Sequence, residues 1–241
     1  MSKPHASWAH GYDQLYEKSF GFFYSQLTQQ SLDTIEQLTS PTARIIDFGA
    51  GTGRLAVPLA KSGRFVTAVE PCAEMLQVLK SKTKNLHIDM VNCTMANFKS
   101  AQPYDFATCV FTVLLYLTDE NELNLSLKSV ASSLKPSGQL LLDIPTKALF
   151  QSFRRKGSDF DRNVVIKPLG NDLFQYSENS RLTYENSGEH LFVDNFQIKY
   201  WSPEVVLSYA FNCGFTLQKD LSDEFSGTGS NYFLLRLTND S

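Results

Sequence analysis

A mostly parallel α/β sheet with helices on both faces is predicted by three observations. Apolar strand-like runs alternate with helix-like ones from residue 44 to about 144. The first strand ends in an acid and a glycine-packed turn, Asp47-Phe48-Gly49-Ala50-Gly51-Thr52-Gly53, before a helix. The second, Arg64-Phe65-Val66-Thr67-Ala68-Val69-Glu70, is apolar like a strand buried on both faces and also ends in an acid.

Residues 8 to 38 carry Leu15, Phe22, Phe23, Leu27, Leu32, Ile35 and Leu38 at helical spacing, and Pro41 closes them, so one or two helices precede the first strand. Strands are expected near 44–48, 65–69, 86–91, 105–112 and 138–144, with helices near 53–62, 72–82 and 119–134. In the last of these, Asp119 and Glu122 have capping-box spacing, and Leu123, Leu127, Val130, Ala131 and Leu134 form one apolar face. Pro58 cannot donate to the carbonyl of Arg54, so a loosened first turn is expected after the glycines.

Beyond Asp143-Ile144-Pro145 the pattern changes to short aromatic and β-branched runs near 162–167, 173–178, 181–185 and 190–200. Leu169-Gly170-Asn171-Asp172 and Glu185-Asn186-Ser187-Gly188 punctuate them, which predicts antiparallel hairpins with one wet face. Ser202 as N-cap, Pro203 at the first helical position and Gly214 past the end define another helix. Strands near 215–221 and 230–237 bring the sheet to seven. The expected organisation is residues 1–145 with N-terminal helices and the ligand-binding half of the sheet, an excursion at 146–201, and a return to the same sheet at 202–241.

The chain has 241 residues, 42% of them hydrophobic, with 22 Lys and Arg against 25 Asp and Glu. A net charge of −3 gives no global field for a polyanion, so nucleic acid is disfavoured as a partner. Residues 1 to 20 lack the apolar centre of a secretory signal, and Val110 to Leu117 is far below the roughly 20 residues of a membrane span. A cytoplasmic protein without a membrane partner is expected. Cys72, Cys93, Cys109 and Cys213 match no zinc spacing with the four histidines, and His190 with Asp194 on one strand face is too few ligands, so no metal is expected.

The glycine spacing is GxGxG, and Arg54 stands where a dinucleotide fingerprint wants Gly or Ala, which argues against a dehydrogenase. Glu70 lies seventeen residues beyond Gly53, where α/β nucleotide sites hold an acid for ribose hydroxyls. With Pro103-Tyr104-Asp105-Phe106 and Leu134-Lys135-Pro136-Ser137-Gly138 as later landmarks, residues 42 to 145 resemble the class I S-adenosylmethionine-dependent methyltransferases. The resemblance implies a Rossmann-like seven-stranded, mostly parallel sheet with an antiparallel excursion after the fifth strand, and S-adenosylmethionine as cofactor. It places Asp47, Phe48, Gly49, Ala50, Gly51, Gly53 and Arg54 under the methionine part, Glu70 and Pro71 at the ribose, and Cys93, Thr94 and Met95 around adenine. Met75, Phe111 and Thr112 belong to the same strand-end site. The acid usual near adenine is missing, and Thr94 offers a hydroxyl instead.

Tyr12-Asp13-Gln14-Leu15-Tyr16 resembles the tyrosine-bearing lid helix of the small-molecule N- and O-methyltransferases related to the glycine and amino-sugar enzymes. Tyr12 and Tyr16 are therefore expected over the cofactor. The implied function is methyl transfer by in-line displacement to nitrogen or oxygen of a small metabolite. The alternatives are a tRNA nucleobase methyltransferase and a silent S-adenosylmethionine-binding regulatory subunit. Candidate catalytic residues are Tyr12, Tyr116 and His190, with His10 as a further base. The aromatic excursion is expected to cap the substrate or to form a homodimer contact.

Overall fold

The computed structural model describes residues 3–185 and 188–238. A 3-10 turn, Ala6–Gly11, leads into helix α1 (Tyr12–Leu38). Strands and helices then alternate: β1 (Arg44–Phe48), α2 (Ala56–Lys61), β2 (Phe65–Val69), α3 (Ala73–Lys82), β3 (Ile88–Val91), β4 (Tyr104–Cys109), α4 (Glu120–Ser133) and β5 (Leu134–Pro145). The excursion follows as β6 (Phe153–Lys156), β7 (Phe160–Gly170), β8 (Leu173–Tyr184) and β9 (Gly188–Lys199). The chain returns through α5 (Pro203–Asn212), β10 (Phe215–Asp220) and β11 (Ser230–Leu237).

The main sheet has the order β10-β11-β5-β4-β1-β2-β3. β1 to β5 pair in parallel, and β11 runs antiparallel between β5 and β10. Because successive strand residues face opposite ways, Ile46, Phe48, Leu140 and Leu142 pack on α4 and α5, whereas Ile45, Phe106 and Leu141 pack on α1, α2 and α3. Each fully buried leucine or isoleucine contributes about 1.5–3 kcal/mol. This two-sided burial makes the sheet a rigid platform.

Local signals fix several boundaries. Asp119 accepts the Glu122 N–H at 2.9 Å and caps α4, and Ser202 accepts the Val205 N–H to cap α5. α2 starts late. Val57 and Leu59 donate to the carbonyls of Gly53 and Leu55, while Pro58 leaves the Arg54 carbonyl between them without its helical donor. α1 is interrupted at Gly21, whose φ of 52° and ψ of −131° no helix contains.

Four sequence expectations need correction. The strand expected to run to residue 112 stops at Cys109, because Phe111 and Thr112 take φ of 68° and 66°. The runs at 173–178 and 181–185 are one strand, β8, paired along its whole length with β9. Leu134 opens β5 instead of closing α4, and regular pairing to β4 resumes only at Gln139, past Ser137 with a φ of 64°. A strand unforeseen in the sequence, β6, pairs with β7, so the excursion is a four-stranded sheet of order β6-β7-β8-β9. Asn186 and Ser187 of the expected β8–β9 turn lie outside the described residues. Among the described residues no helix is long and apolar enough to cross a membrane.

Candidate functional site

The strand order reverses around β1 and β4, and a cavity of about 380 Å³ opens at the carboxyl ends of these strands. Its floor is the glycine turn. The N–H groups of Gly49 and Ala50 both donate to the Val69 carbonyl, at 2.8 and 3.1 Å, which locks the turn to the end of β2. Gly51 has a φ of 54°, a Cβ added there would meet only the Gly49 carbonyl oxygen, at 4.0 Å, and the residue lines the cavity with bare backbone. Thr52 donates to Asp13 of α1 at 2.5 Å, and the Lys82 ammonium bridges Asp13 and the Thr52 carbonyl, tying helix to turn.

Glu70 is 8% exposed and accepts the N–H of Gly51 at 3.0 Å and of Cys72 at 2.9 Å. Burial raises its pKa, and these two amides with the nearby His5 oppose the rise. One lone pair on each oxygen stays available to a ligand hydroxyl. Asp47 accepts from the Thr108 hydroxyl at 2.6 Å, and burial lifts it to about 6 against that hydrogen bond. Arg54 lies between the rings of Tyr24 and Phe111, with Nη1 and Nη2 buried and making no hydrogen bond among the described residues. A buried bare guanidinium fits an anionic ligand group.

Of the sequence candidates, Tyr12, Tyr16, Asp47, Gly49, Ala50, Gly51, Arg54, Glu70, Pro71, Met75, Thr94, Met95, Phe111, Thr112 and Tyr116 all line this one cavity. Five do not: four are turned away by packing, and His10, the further candidate base, is exposed. Phe48 is fully buried beneath the floor, edge-on to Phe98 at 5.6 Å. Gly53 faces away, where a Cβ would collide with Leu79 and Val57, so this glycine serves the α3 and α2 contacts. Cys93 packs against the core on the α4 side. His190 sits on β9 beside Tyr184 at 4.9 Å and His10 at 6.1 Å, outside the cavity wall.

The roof differs from expectation too. Among the described residues the excursion reaches the cavity with Leu149 and Gln197, and its aromatics do not line it. The cover is the N-terminal segment and α1: His5, Tyr12, Tyr16, Phe20, Phe23 and Tyr24. Tyr12 stacks on Tyr16 at 4.3 Å, and behind them Trp8 stacks on Phe192 of β9 at 5.6 Å. The excursion thus backs the roof. Sequence reasoning also missed Asp143, whose two oxygens accept the Thr112 N–H at 3.0 and 3.1 Å and hold the left-handed Phe111-Thr112 turn in the wall. Its only sequence signal was an acid near the end of an apolar strand.

A two-sided α/β sheet with a glycine turn, a buried acid after the second strand and a cleft at its carboxyl edge is the arrangement in which open α/β folds bind nucleotide-type ligands. Residues 45–138 match the methyltransferase domain family. A methyltransferase-family protein of Geobacillus sp. (strain WCH70) is 30% identical over 140 residues, 57% of this chain and 56% of that protein, so the chain spans little more than half of that relative's length. An S-adenosylmethionine-dependent methyltransferase from Clostridium acetobutylicum ATCC 824 superposes with a TM-score of 0.83 at 16% identity, covering 95% of this chain and 99% of that one. The S-adenosylmethionine-bound amino pentose methyltransferase CalS10 from Micromonospora echinaspora gives 0.73 at 17% identity, over 94% and 96%. Residues 45–138 thus resemble the methyltransferase domain family, and the superpositions show that the whole chain shares the fold of these S-adenosylmethionine-dependent methyltransferases.

Proposed function

We propose that this chain transfers a methyl group to a nitrogen or oxygen of a small metabolite, with nitrogen preferred. The observation that carries this is the cavity at the carboxyl edge of the sheet, with a polar floor for the cofactor and a mostly aromatic cover for an acceptor. Glu70 would hold the ribose hydroxyls, Arg54 the carboxylate of the methionine part, and Thr94 with Met75 and Met95 the adenine. When bound, S-adenosylmethionine supplies a methyl on a sulfonium, which carries its own leaving group.

The protein's task is then to position the acceptor. Tyr12, Tyr16 and Tyr116 exclude water and present hydroxyls among apolar rings, which suits a compact polar molecule. Holding the acceptor in line can supply about 7–11 kcal/mol of the barrier. The amino pentose specificity in the name of the CalS10 neighbour favours an amine-bearing acceptor. A nucleobase in folded tRNA fits less well, since the cover is apolar and the net charge is −3.

Incubation of the purified chain with methyl-labelled S-adenosylmethionine and a fractionated cell extract tests this reading. Label is expected in the fraction below the size of macromolecules. Label in the tRNA fraction overturns it, and cofactor binding without transfer to any fraction assigns the chain to the silent binding proteins instead.

A further inference from the structure

His5 has no partner that sequence spacing could reveal, yet it sits at the centre of a relay. Asp194 of β9, 8% exposed, accepts three hydrogen bonds on Oδ2: from the His5 N–H at 3.0 Å, the His5 ring Nδ1 at 2.8 Å and the Trp8 Nε1 at 2.6 Å. A carboxylate only accepts, so Nδ1 carries a ring proton, and whenever the ring is neutral its lone pair is on Nε2. That nitrogen lies 2.9 Å from the Tyr116 hydroxyl, and both residues line the cavity. Rings of Trp8, Tyr116 and Phe196 surround the imidazole with centroids at 5.1, 6.0 and 5.4 Å. His5 itself is held at a φ of 63°, a left-handed conformation that a non-glycine residue adopts at a cost and keeps here because its surroundings over-determine it.

We propose that His5, oriented by Asp194, is the terminal base of a relay in which the Tyr116 hydroxyl takes the proton of the methyl acceptor and passes its own to His5. A latch for the N-terminal segment alone would need only Trp8 and the His5 backbone N–H on Asp194. It gives no reason for a second ring nitrogen aimed at a cavity-lining hydroxyl. The proton balance closes without another reagent. The acceptor's N–H or O–H bond breaks and its proton passes to the Tyr116 oxygen, while the Tyr116 proton passes to His5 Nε2. The resulting imidazolium faces the Asp194 carboxylate. The electron pair left on the acceptor forms the bond to the methyl carbon, and the pair of the broken carbon–sulfur bond stays on sulfur.

Burial first, then Tyr16 and the carboxyls of Glu70 and Asp194, push the Tyr116 phenol well above its ordinary range against the Arg162 charge, so it relays a proton and does not ionise alone. The titratable groups facing His5 are Asp194 on β9, Tyr116 after β4, Tyr12 on α1 and Glu70 after β2. The same Asp194 anchors Trp8, so the base is assembled only when the N-terminal segment is docked. This inference rests on the methyl-transfer reading above, and its test separates the two.

The full chain labelled with 15N-histidine reports the tautomer directly, with His5→Gln assigning its signal among the four histidines. The Nδ1–H tautomer is expected for His5, with its Nε2 signal displaced in Tyr116→Phe and the tautomer lost in Asp194→Asn. An Nε2–H tautomer in the parent, or a signal indifferent to Tyr116→Phe, overturns the relay. With the acceptor found by the labelled screen, Tyr116→Phe and His5→Gln are each expected to lower kcat about 10²–10⁴-fold. The loss should shrink as pH rises and the acceptor deprotonates unaided, with calorimetric S-adenosylmethionine affinity unchanged within about threefold. A parental kcat and pH profile in both variants sinks the proposal. A parent that binds no S-adenosylmethionine instead sinks the methyl-transfer reading, and the tautomer measurement still decides the geometry.

Discussion

The floor and the roof of the cavity are built by opposite means. Under the ligand, β1, β2 and β4 are buried on both faces by aliphatic side chains, and the polar groups that matter are presented by backbone turns within a few residues of each strand end. Over it, the N-terminal segment and α1 are held to the excursion by buried charges between residues far apart in sequence. Asp194 receives His5 and Trp8, and Arg162 pairs with Glu178 while its guanidinium lies 4.2 Å from the Tyr16 ring centre. A floor of hydrophobic burial stays formed whether or not ligand is present. A roof of paired charges loses its hold when one partner is removed.

The largest effect is expected where that contrast is sharpest. Glu178, fully buried, accepts from Arg162 Nε at 2.9 Å and Nη2 at 3.2 Å, from Ser180 at 2.6 Å, and from the Tyr176 hydroxyl. Glu178→Gln leaves the Arg162 charge uncompensated and is expected to cost about 3–5 kcal/mol. Hydrogen exchange should show protection lost in β7, β8 and β9 and retained in β1 and β4. Equal loss in both sheets would break the distinction. The double replacement Arg162→Met with Glu178→Leu, which removes both charges, is expected to recover most of the stability.

In the floor, substitutions should act on the ligand and not on the fold. Gly51→Val places a β-branched residue at a φ of 54° and fills space open to the cavity, so S-adenosylmethionine affinity should fall at least about 100-fold, roughly 2.7 kcal/mol. Glu70→Ala removes one charge-assisted acceptor and should cost about 1.5–3 kcal/mol of binding. Calorimetric titration reads both. A Glu70→Ala protein that melts with its cavity floor disordered, as seen by lost Gly51 and Cys72 amide protection, would show that the acid serves structure more than ligand.

The same contrast explains what the sequence could show. Asp47 to Gly53 and Glu70 act through local turns, so their spacing alone brought them to one edge, and the alternation of apolar runs placed that edge. His5 and Asp194 are 189 residues apart, and no spacing links them. The excursion aromatics misled for a related reason. Phe192 and Tyr184 do meet the N-terminal residues, but from behind, because this part of the excursion contacts Trp8 and the cavity is reached only farther along β9, at Gln197. Phe48, Gly53 and Cys93 were placed by motif position, and strand alternation and helix packing turned them away from the ligand side.

The smallest effect tests whether the floor has a titrating weakness of its own. Asp143 is buried with its carboxyl raised from an ordinary 3.8 to about 7, chiefly by desolvation, opposed by hydrogen bonds from Ser230 and Thr112 and by the Arg54 charge. A carboxyl whose folded value lies above its unfolded value stabilises the fold fully below the unfolded value, and that contribution is lost as pH rises through the folded one. Asp143 therefore withdraws stability between about pH 4 and pH 7, by an upper bound of roughly 4 kcal/mol at 1.36 kcal/mol per unit. Asp143→Asn keeps an oxygen for the Thr112 N–H but weakens a charged acceptor into a neutral one, which returns most of that gain. The net expectation is a protein about 1 kcal/mol more stable than the parent above pH 8 and no more stable than it near pH 4.5, measured by urea unfolding at both. A stability difference independent of pH would mean that the Asp143 carboxylate stays ionised in the fold. The Phe111-Thr112 turn would then be held by a permanent charge facing Arg54.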